Sequence, residues 1–163
     1  MLGDGPHREE IEKIIDDGSS RSIFLKGFVQ VEDLPKYYGV ASCFVHPAVQ
    51  EQWGLVVNEA MAAGLPILIS DKVGCRYDLI KDGVNGFLFK PNSVEDICDK
   101  LLKMHNMNIS DRQTMGLKSS NIISEWGGER FADGLYRAIS YALKKPLKRK
   151  KRNYFFDRII FRD

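Results

Sequence analysis

The stretch that most constrains this chain is Glu51-Gln-Trp-Gly-Leu-Val-Val-Asn-Glu59, followed at once by Ala60-Met-Ala-Ala-Gly-Leu-Pro66 and the apolar run Ile67-Leu-Ile69. Gly54 opens a predicted helix running to about Ala63, and Gly64 is its stop signal. The preceding run Cys43-Phe-Val-His46 reads as a buried strand stopped by Pro47. Glu51 then falls on a loop at the carboxyl edge of a sheet, where open parallel sheets bind ligands. Gly54, Leu55 and Val56 fall in the first helical turn, where unpaired backbone N–H groups and the positive end of the helix dipole attract phosphate. Glu59 follows about a turn and a half later. A carboxylate at each end with an anion seat between suits a ligand carrying hydroxyls at both ends and a diphosphate in the middle.

Around this motif, strands alternate with helices. Gly3-Asp-Gly-Pro6 has the form of a strand-to-helix turn, with Pro6 at a helix start, Ile11, Ile14 and Ile15 on one apolar face, and Gly18 as the end. Ile23–Leu25 is predicted as a short strand, 33–40 as a helix and Ile67–Ile69 as a strand. Residues 71–81 read as a loop with one helical turn. Asp82-Gly-Val-Asn-Gly86 is turn chemistry leading into a strand Phe87–Phe89. Ser93, with Asp96 three residues on, caps a helix through about Met104, and helices fit 110–125 and 128–143. The expected architecture is an α/β, Rossmann-like parallel sheet covered by helices on both faces.

Composition places the chain among globular α/β domains. Its 163 residues are 44% hydrophobic and 28% charged, enough for one core. Cys43, Cys75 and Cys98 show no C-x-x-C pairing and no regular spacing with His7, His46 or His105, so neither a zinc site nor a disulfide framework is indicated. A reducing compartment is the default, and no signal peptide or apolar span is legible. The net charge of +2 conceals an asymmetry: Lys144–Arg152 carries seven positive charges and no negative ones, which leaves residues 1–143 at −5. This division separates a folded body, 1–143, from a basic and aromatic tail, 144–163.

The central motif resembles that of the group 1 (family 4) retaining glycosyltransferases, which have the GT-B fold of two Rossmann-like domains. The two glutamates sit within E-x-W-G-L-x-x-x-E-A-M-A-A-G-x-P, and the likeness extends through Gly3–Pro6, Phe24-Leu-Lys-Gly-Phe28, Tyr37-Tyr38, Phe44-Val-His-Pro47 and Asp82–Phe87, covering about residues 1–143. It implies that Glu51 contacts hydroxyls of the donor sugar and supports charge at the reacting carbon, and that Glu59 binds the ribose hydroxyls of a nucleotide-diphosphate sugar. Gly54 would admit phosphate close to backbone. Gly27-Phe28-Val29 would line the nucleobase pocket, core packing by Phe28 and Val29 being the alternative. Gly3 and Gly5 would face the same crevice or serve only as turn residues.

The resemblance further implies transfer to a glycan or lipid-linked acceptor without a metal site or cofactor, the donor phosphate acting as base. In that fold one more strand and helix precede the Gly3–Pro6 turn, in a sheet ordered 3-2-1-4-5-6. That part, the Arg and Lys that neutralise the diphosphate, and an acceptor-binding N-terminal domain are expected in cis or on a separate chain. The chain then reads as the C-terminal part of such an enzyme, binding donor weakly and transferring nothing alone.

One departure stands out: Tyr77-Asp78 replaces the family's Pro-Glu after Gly74. His46 is expected to be a hydrogen-bonded core histidine, and Trp126 and Phe131 core residues. The basic run and the aromatic residues after it suit an anionic membrane surface, a solvated tail, or a return to the N-terminal domain. The resulting expectation is a cytoplasmic protein, at the inner face of a membrane if the basic run engages lipid, with no nucleic-acid partner. The rival readings are another GT-B enzyme, such as a sugar-nucleotide epimerase, and a non-catalytic membrane- or partner-binding module.

Overall fold

The central strand of the sheet is the most apolar segment of the chain. In the computed structural model, which describes residues 1–16 and 22–144, Ile67, Leu68 and Ile69 have no exposed surface. They form β2 (Ile67–Ser70), flanked by β1 (Phe44–His46) and β3 (Gly86–Phe89) in the order β1-β2-β3. Both pairings are parallel, with Val45 opposite Leu68 and Leu68 opposite Phe87. Each parallel pair is joined by a connection that contains a helix, Leu55–Ala62 between β1 and β2 and the short turn of helix Arg76–Leu79 between β2 and β3, as parallel neighbours require.

The helices are α1 (Arg8–Ile14), α2 (Leu34–Val40), α3 (Leu55–Ala62), α4 (Arg76–Leu79), α5 (Val94–Asn106), α6 (Ile109–Ser124) and α7 (Gly128–Lys144). α3 packs against α6 and the first two strands, and α5 packs on β3. Leu68, Phe87, Phe89, Met104 and Met115 form one core cluster, with Cys43, Ile97 and Met107 at its margin. β1 is less covered than expected: Val45 is exposed, and among the described residues no strand pairs with the outer edge of β1.

Local chemistry fixes the ends of these elements. Ser93 Oγ accepts from the Asp96 amide at 3.2 Å and starts α5. α3 ends as the sequence indicates: Gly64, at φ 73°, donates to the Met61 carbonyl at 3.0 Å, and Leu65 donates to that of Ala60 at 3.1 Å. Gly116 of α6 seats against this cap, where an added Cβ would lie 2.0 Å from the Gly64 oxygen. Asn85, read as turn chemistry, is fully buried; its side chain donates to the Leu79 carbonyl at 3.0 Å and accepts from the Lys81 amide at 2.8 Å.

Two sequence-based expectations fail here. Ile23–Leu25 is not a strand: Phe24 is 67% exposed, its carbonyl accepts from the Met1 amine, and the nearest bridge among the described residues joins Gly3 to Gly27 just beyond it. An apolar triplet needs a neighbouring strand on which to spend its amides, and residues 1–3, which lie beside it, form no strand. Phe131 is not core either. It is 73% exposed on α7 and aligns with Leu135 and Ile139 at four-residue spacing on that helix's apolar side.

Two compact units are distinguished, Met1–Ser124 and a second that begins at Glu125. In the second, Arg130 lies 4.2 Å over the Trp126 ring and Arg137 pairs with Asp133 at 2.9 Å. The expected helix end at Gly18 and the basic tail from residue 145 onward lie outside the described residues. Among the described residues no helix is long and apolar enough to cross a membrane.

Candidate functional site

Beyond β1 the chain passes Pro47, bends at 49–50 and runs parallel to the loop that leaves β2. Glu51 and Val73 form a parallel bridge, in which the Gly74 amide donates to the Glu51 carbonyl at 2.9 Å and the Glu51 amide to that of Lys72 at 3.4 Å. Cys75 N–H adds a bond to the Trp53 carbonyl at 3.2 Å. The approach is closer than any side chain allows: a Cβ on Gly74 would lie 1.8 Å from the Gln52 oxygen. Two loops at the carboxyl ends of adjacent strands are thereby closed into one wall.

Glu51 is half-buried in that wall, and its Oε1 accepts from the Trp53 amide at 3.2 Å. The Trp53 indole N–H in turn donates to Asn58 on α3 at 3.2 Å. Gly54 then turns the chain into α3 at φ 90°, a conformation that costs a side-chain-bearing residue about 1–2 kcal/mol. A Cβ there would meet Val73 Cγ1 at 3.2 Å and Glu51 Cγ at 3.3 Å. The first turn of α3 has no side-chain cap and no acidic residue, and Leu55 and Val56 in it are exposed. Amides at such an end are aimed outward, beside a carboxylate held by backbone.

Glu59 sits further along the same helix, with its side chain exposed. Its Oε2 accepts from the Tyr38 hydroxyl at 2.9 Å, which ties α3 to α2. Burial, then this hydrogen bond, then the carboxylate charge hold the Tyr38 phenol well above the ordinary tyrosine range. The Tyr38 ring lies 6.2 Å from Phe44, which stacks on His46 at 6.1 Å. His46 is not the hydrogen-bonded core histidine expected. It ends an edge strand, half-buried, with Nε2 buried and unpartnered. Burial pushes its imidazole below the usual value, against the pull of the Glu51 charge.

Gly3 and Gly27 meet directly, the Gly3 amide donating to the Gly27 carbonyl at 2.8 Å. Gly3, Gly5 and their neighbours line a cavity of about 270 Å³. Phe28 is 73% exposed, which removes core packing as its role, while Val29 is half-buried. Among the described residues no cluster of three His, Cys, Asp or Glu side chains could hold a metal ion.

The structure thus joins Glu51 to Gly54 in one turn, Glu59 to Tyr38, and Gly3 to Gly27. Sequence reasoning missed Gly74 and gave Tyr38 no role. The glycine just beyond an apolar strand was the available signal for the first; nothing local signals the second, whose partner lies 21 residues away.

Residues 1–119 match the family model described as Glycosyl transferases group 1. The chain belongs to this family. It is 36% identical over 117 residues to the Sulfoquinovosyl transferase SQD2 of Arabidopsis thaliana, covering 70% of this chain and 21% of that protein. Among solved structures, a mutant of S. aureus TarM in complex with Fondaparinux, alpha-GlcNAc-glycerol and UDP superposes with a TM-score of 0.73 at 29% identity, covering 83% of this chain and 27% of that one. The C-terminal domain of a glycosyl transferase group 1 family protein, LpcC from Francisella tularensis, shares the fold with a TM-score of 0.64 at 24% identity, over 72% of this chain and 60% of that domain. The α/β, Rossmann-like fold is therefore that of the C-terminal half of a GT-B glycosyltransferase. This member of the family spans about a fifth of the length of the Arabidopsis relative and about a quarter of that of TarM.

Proposed function

We propose that this chain is the donor-binding part of a retaining glycosyltransferase that moves a sugar from a nucleotide-diphosphate carrier to a glycan or lipid-linked acceptor. The observation that carries this reading is the glycine-closed turn that sets the Glu51 carboxylate beside the uncapped amino end of α3, with Glu59 on the same helix. With Oε1 held by the Trp53 amide, the remaining lone pairs of Glu51 accept hydroxyls of the donor sugar, and its charge steadies the positive reacting carbon. The amides of Leu55 and Val56, with the dipole of α3, receive the diphosphate as the glycosidic bond breaks. Glu59 takes the ribose diol. The base lies against Gly27, Phe28 and Val29, where the exposed Phe28 ring offers a stacking face, and Gly3 and Gly5 line the same crevice. The leaving phosphate accepts the proton of the attacking hydroxyl.

In this reading the cations that neutralise the diphosphate, and the wall that binds the acceptor, come from an N-terminal acceptor domain in cis or on a second chain. The 163 residues alone bind donor weakly and transfer nothing. The cytoplasmic face of a membrane suits this arrangement: α7 has an apolar side, and the sequence Lys144–Arg152 holds seven positive charges, a composition that attracts anionic lipid. TarM holding UDP supports a nucleoside diphosphate as the carrier.

Calorimetric titration with UDP-, GDP- and ADP-sugars tests the site. One carrier is expected to bind in the millimolar range, and Glu59→Ala to weaken it by about tenfold, as loss of a hydrogen bond to a charged group does. Equal affinity in both proteins would count decisively against the assignment.

A further inference from the structure

We propose that Tyr38 is a positioning residue that orients the Glu59 carboxylate and so makes the site select ribonucleotides over deoxyribonucleotides; this rests on the reading of Glu59 as the ribose ligand. Glu59 is exposed on a helix surface, where a glutamate side chain left to itself samples many rotamers. Its Oε2 is instead fixed by the Tyr38 hydroxyl at 2.9 Å. That hydroxyl is itself held. The Tyr38 ring is set 6.2 Å from Phe44, and Phe44 lies in β1, paired with Ile67 of the buried strand, its amide donating to the Pro66 carbonyl at 2.9 Å. A carboxylate on one helix is therefore indexed to the sheet through a phenol on another.

The chemistry of the pair defines what it recognises. A carboxylate offers about four acceptor positions, and the phenol uses one of them. The rest of Oε2 and all of Oε1 stay available in a fixed orientation, which matches two adjacent hydroxyls donating side by side. The phenol remains a donor to Glu59 well into alkaline pH, because burial and the neighbouring carboxylate disfavour its ionisation. A sugar lacking one hydroxyl leaves part of this preset acceptor pair unmatched, and a site built to bond a hydroxyl rejects the analogue without it.

The test titrates the 163-residue chain with UDP, GDP and ADP and their 2′-deoxy counterparts at up to tens of millimolar concentration, followed by NMR chemical shifts, comparing wild type, Tyr38→Phe and Glu59→Ala. Tyr38→Phe keeps the ring on Phe44 and removes only the hydroxyl. Wild type is expected to favour the ribo form of one nucleotide by about tenfold. In Tyr38→Phe that preference falls below about threefold through weaker ribonucleotide binding, the deoxy affinity staying within about twofold. Phe44→Leu, which keeps the hydroxyl but loosens its support, is expected to give an intermediate preference. Thermal unfolding checks that each variant is folded.

A Tyr38→Phe protein that discriminates as well as wild type overturns the role of Tyr38 and leaves Glu59 as the ribose ligand. Equal losses for ribo and deoxy forms also overturn it, since a general packing defect has that signature. A wild type that binds both forms alike, or binds none of the six nucleotides, overturns this inference together with the reading it rests on.

Discussion

Gly74→Ala tests the closed wall on which the site depends. Gly74 needs no left-handed backbone; what it lacks is room, since a Cβ would lie 1.8 Å from the Gln52 oxygen and 2.7 Å from the Gln52 carbonyl carbon. Ordinary contacts begin at 3.4 Å, so the oxygen must be driven outward until the two loops part. Both partners are backbone, and no side-chain rotation relieves the clash. The parting breaks the bonds from Gly74 N–H to Glu51 at 2.9 Å and from Cys75 N–H to Trp53 at 3.2 Å, and stretches the weaker one from Glu51 N–H to Lys72. At about 1 kcal/mol net for each bond the loss is about 3 kcal/mol, the upper end of what overpacking costs. For a domain of this size the melting temperature should fall by about 6–12 °C. Differential scanning calorimetry measures it, with Gly39→Ala in α2 as control: nothing lies within 4 Å there, and alanine should stabilise that helix by about 0.5–1 kcal/mol. A Gly74→Ala protein melting within about 2 °C of wild type would refute the close approach.

Two further outcomes follow from buried polar groups. Asn85→Ala strips the Leu79 carbonyl and the Lys81 amide of their partners and should cost about 2–4 kcal/mol in urea unfolding, with an unchanged denaturant slope; a loss under about 1 kcal/mol would contradict the bonding described. His46 is held neutral by burial, its pKa below the 6.5 that an unfolded chain shows. As pH falls through that value the unfolded chain takes up the proton first, so stability drops on acidification. His46→Gln should therefore lose less melting temperature than wild type between about pH 7 and about pH 5, and an equal loss in both would rule out this histidine as a source of the acid slope.

What could be read directly from the residues was local. Gly54 and Gly64 bracket α3, Ser93 and Asp96 start α5, and the unbroken apolar run at 67–69 marks the central strand, because each signal acts within a few positions of itself. Ile23–Leu25 misled for the converse reason. Its composition suits a strand, but a strand also needs a neighbour, and that is a property of the assembled sheet. The same limit hid Gly74, whose meaning comes from Gln52 across the wall, and the Tyr38–Glu59 bond, which joins two helices. It also kept the burial of Asn85 out of view: the turn at 82–86 is legible, but the elements that bury the asparagine are not local. At the candidate site, the motif put Glu51 ahead of the helix that Gly54 opens and Glu59 on it, as the structure does, whereas the contacts that hold them arise only when separate loops and helices meet.

The glycine closures have a mechanical consequence for α3. With left-handed backbone at Gly54 and again at Gly64, and with Gly116 braced against the second, the helix is a rod of set length pinned at both ends. Adding or removing one residue between those pins would turn everything beyond it by about 100°. Glu59 would then swing away from α2 and its phenol. Exchanges of side chain at constant length leave both pins in place, and the connections on either side can take an inserted residue without turning the helix.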